Sequence, residues 1–310
     1  MKVLMTGAAG FIGGHAYDHY TSLGDEVLVV DKLSYAANPE IKTKIKNLIE
    51  LDISDRDLLL VIKDFKPDVI VNFAAETHVD NSIKDSYDFI VSNVLGTANL
   101  LDACRDLKIK MCHISTDEVY GPANDKPFFE NDRLNPMNPY SATKAAADMM
   151  IKAYKNTHKV DYLIIRPSNN YGPKQNKEKF IPKLVDCLLN GDQFPLYGNG
   201  DQKREWTFVE DTAAITRKII LNEKKWNSIY NVSSGIMHSN LEVINLVLES
   251  YHKITGKKNN LQSVIKNVVD RPGHDKKYWI STKALESLIK HRYTDFQSGI
   301  QKTVNSYVKK

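Results

Sequence analysis

Cysteine is scarce in this 310-residue chain: the three that occur, Cys104, Cys112 and Cys187, follow no metal-ligand spacing and sit in apolar contexts. That usage excludes a disulfide scaffold or a cysteine zinc site, and the expectation is buried free thiols in a reducing compartment. No apolar run approaches the roughly 20 residues of a membrane span. Low-complexity tracts are missing too, and the first six residues lead straight into a glycine motif with no cleavage-site pattern, so no secretory leader is expected. Neither sign of charge dominates. Forty-two Lys+Arg against 38 Asp+Glu leave a net +4, with the basic residues scattered apart from a lysine-rich patch near 253–258. This balance excludes a nucleic-acid footprint. The expectation is a cytoplasmic protein with no nucleic-acid or membrane partner.

What the chain does contain is regular alternation. Its hydrophobic content of 42% and its length suit one large domain or two unequal ones. Short β-branched runs at Val3–Met5, Val27–Val30, Val69–Val71, Met111–Ile114 and Leu163–Ile165 read as strands. Helical patterns lie between them, at about 11–22, 55–65, 83–107 and 139–158. This order predicts an α/β fold: a Rossmann-type, doubly wound parallel sheet with helices on both faces and ligands beyond the carboxyl ends of its strands. After Pro167 the pattern loosens into loops marked by Gly172-Pro173, Gly198-Asn-Gly200 and Pro272-Gly273. The expected division is a dinucleotide-binding domain at 1–170, joined by about 205–225, and a smaller, partly interleaved C-terminal substrate-binding lobe within 171–310. An apolar helix pattern at 211–221 is free to pack back on the sheet.

Gly7-Ala-Ala-Gly10-Phe-Ile-Gly13 follows the first strand and opens a helix. Small residues in that context let a backbone approach a pyrophosphate at the helix N-terminus. Asp31 ends the second strand, where a carboxylate accepts hydrogen bonds from ribose hydroxyls and repels a 2′-phosphate, so NAD is favoured over NADP. The adjacent Lys32 reads as a surface lysine. Asp52-Ile53, after the third strand, serves either an adenine ring or a helix cap. Phe73-Ala74-Ala75, at the end of the fourth strand, leaves room for the cofactor.

Tyr140 and Lys144 stand four residues apart at the start of a helix and share a face. A lysine ammonium beside a phenol favours the phenolate and lowers a pKa ordinarily about 10. Such a phenolate takes a proton from a sugar hydroxyl while hydride leaves the same carbon. Thr116-Asp117-Glu118 follows the fifth strand. Adjacent acids are commonly a solvated turn, but these leave an apolar strand at the cofactor edge. Two carboxyls in unlike environments serve as acid and base, the equipment for eliminating water.

Through these motifs, and through Asp31–Ala36, Ala74–Asp80, Ser115–Gly121, Ser168–Pro173 and Asp270–Asp275, the chain resembles the extended short-chain dehydrogenase/reductases nearly end to end. Within them it resembles the dTDP-glucose 4,6-dehydratases, with Thr116-Asp117-Glu118 as the specific part. The resemblance implies NAD, a nucleotide-sugar substrate, Tyr140 as the base at the C4 hydroxyl, Glu118 as the base at C5, Asp117 as the acid at the C6 hydroxyl, and Thr116 near O4. It adds Phe11, Ile12, Leu33, Ser34, Ser92 and Asn170 to the cofactor positions. On the substrate side it adds Thr77, Asn169, Lys179, Phe180, Pro195, Tyr197, Arg204, Asn231, Asp270, Arg271 and His274. It also implies a homodimer through a four-helix contact made by 83–107 and 139–158, with Ala145–Ala147 and Met149-Met150 as its apolar surface. Dehydration of another nucleotide sugar, epimerisation or decarboxylation, and NAD binding without catalysis remain the alternative readings.

Overall fold

The computed structural model describes residues 1–269 and 275–309. Its strands are β1 (Lys2–Thr6), β2 (Glu26–Asp31), β3 (Leu48–Glu50), β4 (Val69–Asn72), β5 (Lys110–Ile114), β6 (Tyr162–Pro167), β7 (Asn169–Tyr171), β8 (Phe194–Tyr197), β9 (Lys203–Phe208), β10 (Ser228–Val232), β11 (Met237–Ser239) and β12 (Ile265–Val268). Seven of them form one parallel sheet in the order β10-β6-β5-β4-β1-β2-β3. The winding reverses between β1 and β4, and a crevice opens beyond the carboxyl ends of the strands at such a point.

Alternation along the strands explains the two-faced burial. Val3, Met5, Val69, Val71, Cys112, Ile114, Leu163 and Ile165 face one way and share a core with Ala16, Tyr17 and Tyr20 of the helix Phe11–Ser22. Ala213, Ile215 and Ile219 of the helix Val209–Ile220 complete it, so the pattern expected at 211–221 does pack on the sheet. Leu4, Ile70, Met111 and Ile164 face the other way, against Ile62, Leu100, Leu101 and Ile151 from the helices Leu58–Phe65, Gly96–Leu107 and Pro139–His158. Strands buried on both faces are what a parallel sheet covered by helices requires. A separate apolar core joins Ile181, Leu184, Phe194, Trp206, Val243, Val247, Phe296 and Ile300. Around it lie the small sheets β11-β9-β7 and β12-β8.

The single helix expected at 83–107 is interrupted. Val79–Lys84 ends at Asp85, whose extended backbone and side-chain bond from the Tyr87 amide restart the chain. A π-helical turn then runs over Ile90–Leu95 before Gly96–Leu107. Its extra residue per turn turns both Ser92 and Asn93 inward, the kind of local widening that accompanies functional sites. The helix Pro139–His158 has the bounds expected of it, fixed by Pro139 in its first turn and a capping box in which Asn138 and Ser141 satisfy each other's backbone amides.

Two surface expectations need correction. Cys104 and Cys112 are buried free thiols, but Cys187 is only half-buried, packed at the margin of the second core from the helix Phe180–Asn190. Ala145 and Ala147 are buried in their own subunit, leaving Met149 at 45% exposure as the apolar surface of that helix. No helix among the described residues is long and apolar enough to cross a membrane.

Candidate active site

One cavity runs along the carboxyl edge of the sheet, from the glycine loop to the Thr116–Glu118 turn and on to Asn169, Lys179 and Phe180. Gly7 has φ +70°, and a Cβ there would meet the Ala74 backbone nitrogen at 2.5 Å. A Cβ on Gly13 would meet the Gly7 carbonyl oxygen at 2.5 Å, so the β1 turn, the helix and the end of β4 approach as only glycine permits. Both Asp31 oxygens accept backbone amides, from Ala9 at 2.9 Å and Leu33 at 2.8 Å. Burial raises the Asp31 pKa, and those two bonds oppose the shift.

These features fit a dinucleotide. Gly7, Gly10, Phe11, Ile12, Gly13, Asp31, Lys32, Ser34, Asp52, Ile53, Phe73, Ala74, Ala75, Ser92 and Asn170 all line the cavity. Within it, the buried Oδ1 of Asn170 has no hydrogen-bond partner, an acceptor suited to a carboxamide donor. Lys32 is not a bare surface lysine: its Nζ lies 2.8 Å from Glu76, 3.7 Å from Asp52 and 3.2 Å from the Ser92 hydroxyl. Tied to two carboxylates, it is a poor receptor for a 2′-phosphate. Asp52 lines the cavity and accepts the Ser54 amide and hydroxyl in a local turn; it caps no helix, since the following helix Leu58–Phe65 has Asp57 at its N-cap. Leu33 is the exception among the cofactor candidates: its amide serves Asp31, while its side chain packs on the sheet core and not into the cavity.

Thr116, Asp117, Glu118, Tyr140 and Lys144 share the same cavity. Thr116 caps the short turn Asp117–Tyr120 through the Glu118 amide, and its hydroxyl also reaches the side chains of Asp117 and Tyr140. Asp117 is 3% exposed, and its Oδ2 has no partner. Burial raises its pKa well above the carboxylate range; the charges of Glu118 and Glu205 add to this, while Arg204 and Thr116 oppose it. This environment favours the neutral acid over the carboxylate. Glu118 differs: it is half-buried, and its Oε2 lies within reach of Asn138 Nδ2 at 3.4 Å and the Tyr278 hydroxyl at 3.5 Å. The two adjacent acids occupy the unlike environments that acid and base work needs.

The Tyr140–Lys144 pair departs from expectation. Burial raises the Tyr140 pKa, with Glu118 and Asp117 adding and Thr116 opposing, so the protein alone holds the phenol protonated. Lys144 Nζ donates to the Ile114 carbonyl at 2.6 Å and lies 3.2 Å from His113 Nε2, not on the phenol. Burial lowers its pKa to about 8 against the raising effect of Asp148. Behind it, His113 Nδ1 meets Asn72 at 3.0 Å, and Thr6 donates to Asn72 at 2.6 Å. The next turn of the helix is fastened by Asp148 to Arg166 at 2.9 Å, both side chains sealed from solvent. Losing one partner of such a pair generally costs about 3–5 kcal/mol.

The substrate candidates divide. Thr77, Asn169, Lys179 and Phe180 line the cavity. Asn231 does not. It is 0% exposed and consumed by structure, donating to the Phe128 and Ser281 carbonyls and accepting from Tyr120. Arg204 is also buried outside the cavity, its guanidinium donating to the Lys203 and Asp275 carbonyls and lying 4.3 Å from the Tyr278 ring centre. Pro195 and Tyr197 sit on β8, paired with β12, and likewise do not line it. Asp270, Arg271 and His274 lie outside the described residues. Unforeseen in the sequence are Trp206, which lines the cavity and whose buried Nε1 has no partner, and Tyr278 and Glu205 behind the two acids. Only the position of Trp206, between Arg204 and the helix after β9, hinted at it. No cluster able to hold a metal ion occurs among the described residues.

Comparison with known proteins agrees with this geometry. The model of the NAD dependent epimerase/dehydratase family matches residues 3–233. The low-salt glycan biosynthesis protein Agl12 of Haloferax volcanii is 40% identical, over 99% of this chain and 99% of its own. A dTDP-glucose 4,6-dehydratase of Neisseria gonorrhoeae is 36% identical, over 99% of this chain and 95% of its own. Among solved structures, DesIV, a dTDP-glucose 4,6-dehydratase from Streptomyces venezuelae with NAD and TYD bound, superposes with a TM-score of 0.93 at 35% identity, covering 100% of this chain and 97% of that one.

Proposed function

The chain belongs to the NAD dependent epimerase/dehydratase family, and from that premise we propose that it is a nucleotide-sugar 4,6-dehydratase converting dTDP-glucose to dTDP-4-keto-6-deoxy-glucose. The observation that carries this reading is Asp117, a buried carboxyl held neutral beside the half-buried Glu118, both on the cavity that Tyr140 also lines. Oxidation or epimerisation at C4 has no use for that pair. Loss of water across C5 and C6 requires both.

Gly7–Gly13, Asp31 and Asn170 would hold NAD, which would supply the hydride acceptor and later the donor. In its phenolate form Tyr140 takes the proton of the C4 hydroxyl, with Thr116 orienting O4 beside it. The resulting ketone acidifies C5. Glu118 removes the C5 proton while Asp117 gives its own to the departing C6 hydroxyl, leaving a 4-keto-5,6-ene and water. Glu118 afterwards returns a proton to C5, and Asp117 recovers its own from Tyr140 through the Thr116 hydroxyl, which reaches both side chains. Lys144, anchored between Ile114 and His113, keeps a positive charge near this end of the cavity at and below pH about 8.

Incubation with dTDP-glucose is expected to yield a product with the alkaline absorbance of a 4-keto-6-deoxy sugar, at a higher kcat/KM than UDP-, CDP- or GDP-glucose. Faster turnover of one of those would move the substrate assignment and leave the reaction. An epimeric hexose with no keto product would replace dehydration by epimerisation.

We also propose a homodimer. Tyr87, Ile90 and Leu95 are 69%, 50% and 54% exposed on the helical stretch next to Pro139–His158, where Met149 adds to the same apolar surface. Sedimentation is expected to give a particle of twice the 35.2 kDa chain mass, and Tyr87→Glu with Met149→Lys should return it to a monomer.

A further inference from the structure

We propose that Tyr278 and Asp275 form a proton relay behind Glu118, through which the proton taken from C5 leaves the site. This rests on the dehydratase reading and adds to it. Glu118 lines the cavity, whereas Tyr278 does not: its hydroxyl lies 3.5 Å from Glu118 Oε2, with its ring buried. That same hydroxyl donates to Asp275 Oδ2 at 2.6 Å. A single phenolic proton therefore stands between two carboxyl groups, one in the cavity wall and one outside it.

The surrounding contacts keep this line in place. The Arg204 guanidinium stacks on the Tyr278 ring and donates to the Asp275 carbonyl at 2.8 Å, gripping both relay residues at once. The segment is pinned to β9 further along, by Lys203 N to the Lys276 carbonyl at 2.9 Å and by Ile280 N to Glu205 at 3.0 Å. Nothing in a purely structural tyrosine requires two acids at its hydroxyl. Asp275 keeps 6% of its surface exposed, and through it the relay exchanges with water.

The transfer balances without any further reactant. Protonated Glu118, after a turn of its carboxyl group, gives its proton to Tyr278 Oη as the Tyr278 hydroxyl proton passes to Asp275 Oδ2. One O–H bond forms and one breaks at Tyr278, and the negative charge moves from Asp275 to Glu118. The reverse sequence brings a proton back for C5. Tyr278 thus acts through Glu118, as a positioning and relay residue, and touches no substrate atom.

The test uses dTDP-glucose carrying deuterium at C5, in ordinary water, with immediate borohydride reduction so that the ketone does not exchange afterwards. Mass spectrometry then reads the deuterium left at C5. Wild-type product is expected to have lost most of it, and Tyr278→Phe and Asp275→Asn products to retain a several-fold larger fraction. Equal retention in wild type and either variant overturns the relay, as does full retention by wild type. If Tyr278→Phe yields no product, Asp275→Asn decides. Failure of the dehydratase reading has a separate signature: no keto product from the wild-type enzyme at all.

Discussion

Asp117→Asn is expected to lower the rate of keto-product formation by about 10²- to 10³-fold, within the range that a positioned general acid contributes, while oxidation at C4 continues. Enzyme-bound NADH then accumulates and is seen at its near-ultraviolet absorbance after mixing with substrate. The substitution is mild for the fold. The native carboxyl is buried where the neutral form is favoured, with Oδ2 unpartnered, so an amide of the same shape enters without a new charge. Circular dichroism and the melting temperature should therefore stay near wild type. Turnover at the wild-type rate would remove Asp117 from the acid role.

Tyr140→Phe is expected to act one step earlier and to leave the opposite trace. Without the phenol nothing takes the C4 hydroxyl proton, and NADH formation in a single turnover should fall by about 10²- to 10⁴-fold. No bound NADH builds up, and no product follows. The protein alone favours the protonated phenol, since burial and the Glu118 and Asp117 charges raise its pKa and only Thr116 opposes them. The wild-type rate should accordingly rise with pH through the neutral range, and Thr116→Val should push that rise to higher pH. Normal NADH formation by Tyr140→Phe would overturn its assignment.

How far the sequence reached depended on whether the relevant chemistry was local. Alternating burial at Val3, Leu4 and Met5, or at Leu163, Ile164 and Ile165, is a period-two pattern that a single strand displays in full. The bounds of Pro139–His158 were legible for the same reason, since its cap lies in adjacent residues. The direction of a lysine was not: Lys144 turns to Ile114 and His113 because β5 passes beneath its helix, a fact of packing. Asn231 and Arg204 stay out of the cavity on the same ground. Both are strong polar groups, and in each case a carbonyl from a distant segment takes a side-chain donor. Tyr278 could not be foreseen, as it meets Glu118 across 160 residues of chain. The π turn at Ile90–Leu95 was hidden by a periodicity that looked continuous on either side of it.

The parallel register of β10 against β6 has a bearing on how the molecule is made. Residues Ser228–Val232 close the sheet beside Leu163–Pro167, so the edge of β6 stays unpaired until the ribosome has delivered some 60 further residues. A nascent chain paused in that interval, or one cut between 168 and 227, carries a long apolar strand with open amides and carbonyls, a template for pairing with another copy. Fragments ending there should be recovered as aggregates, while synthesis carried past Val232 covers β6 and leaves the five-residue β10 as the border.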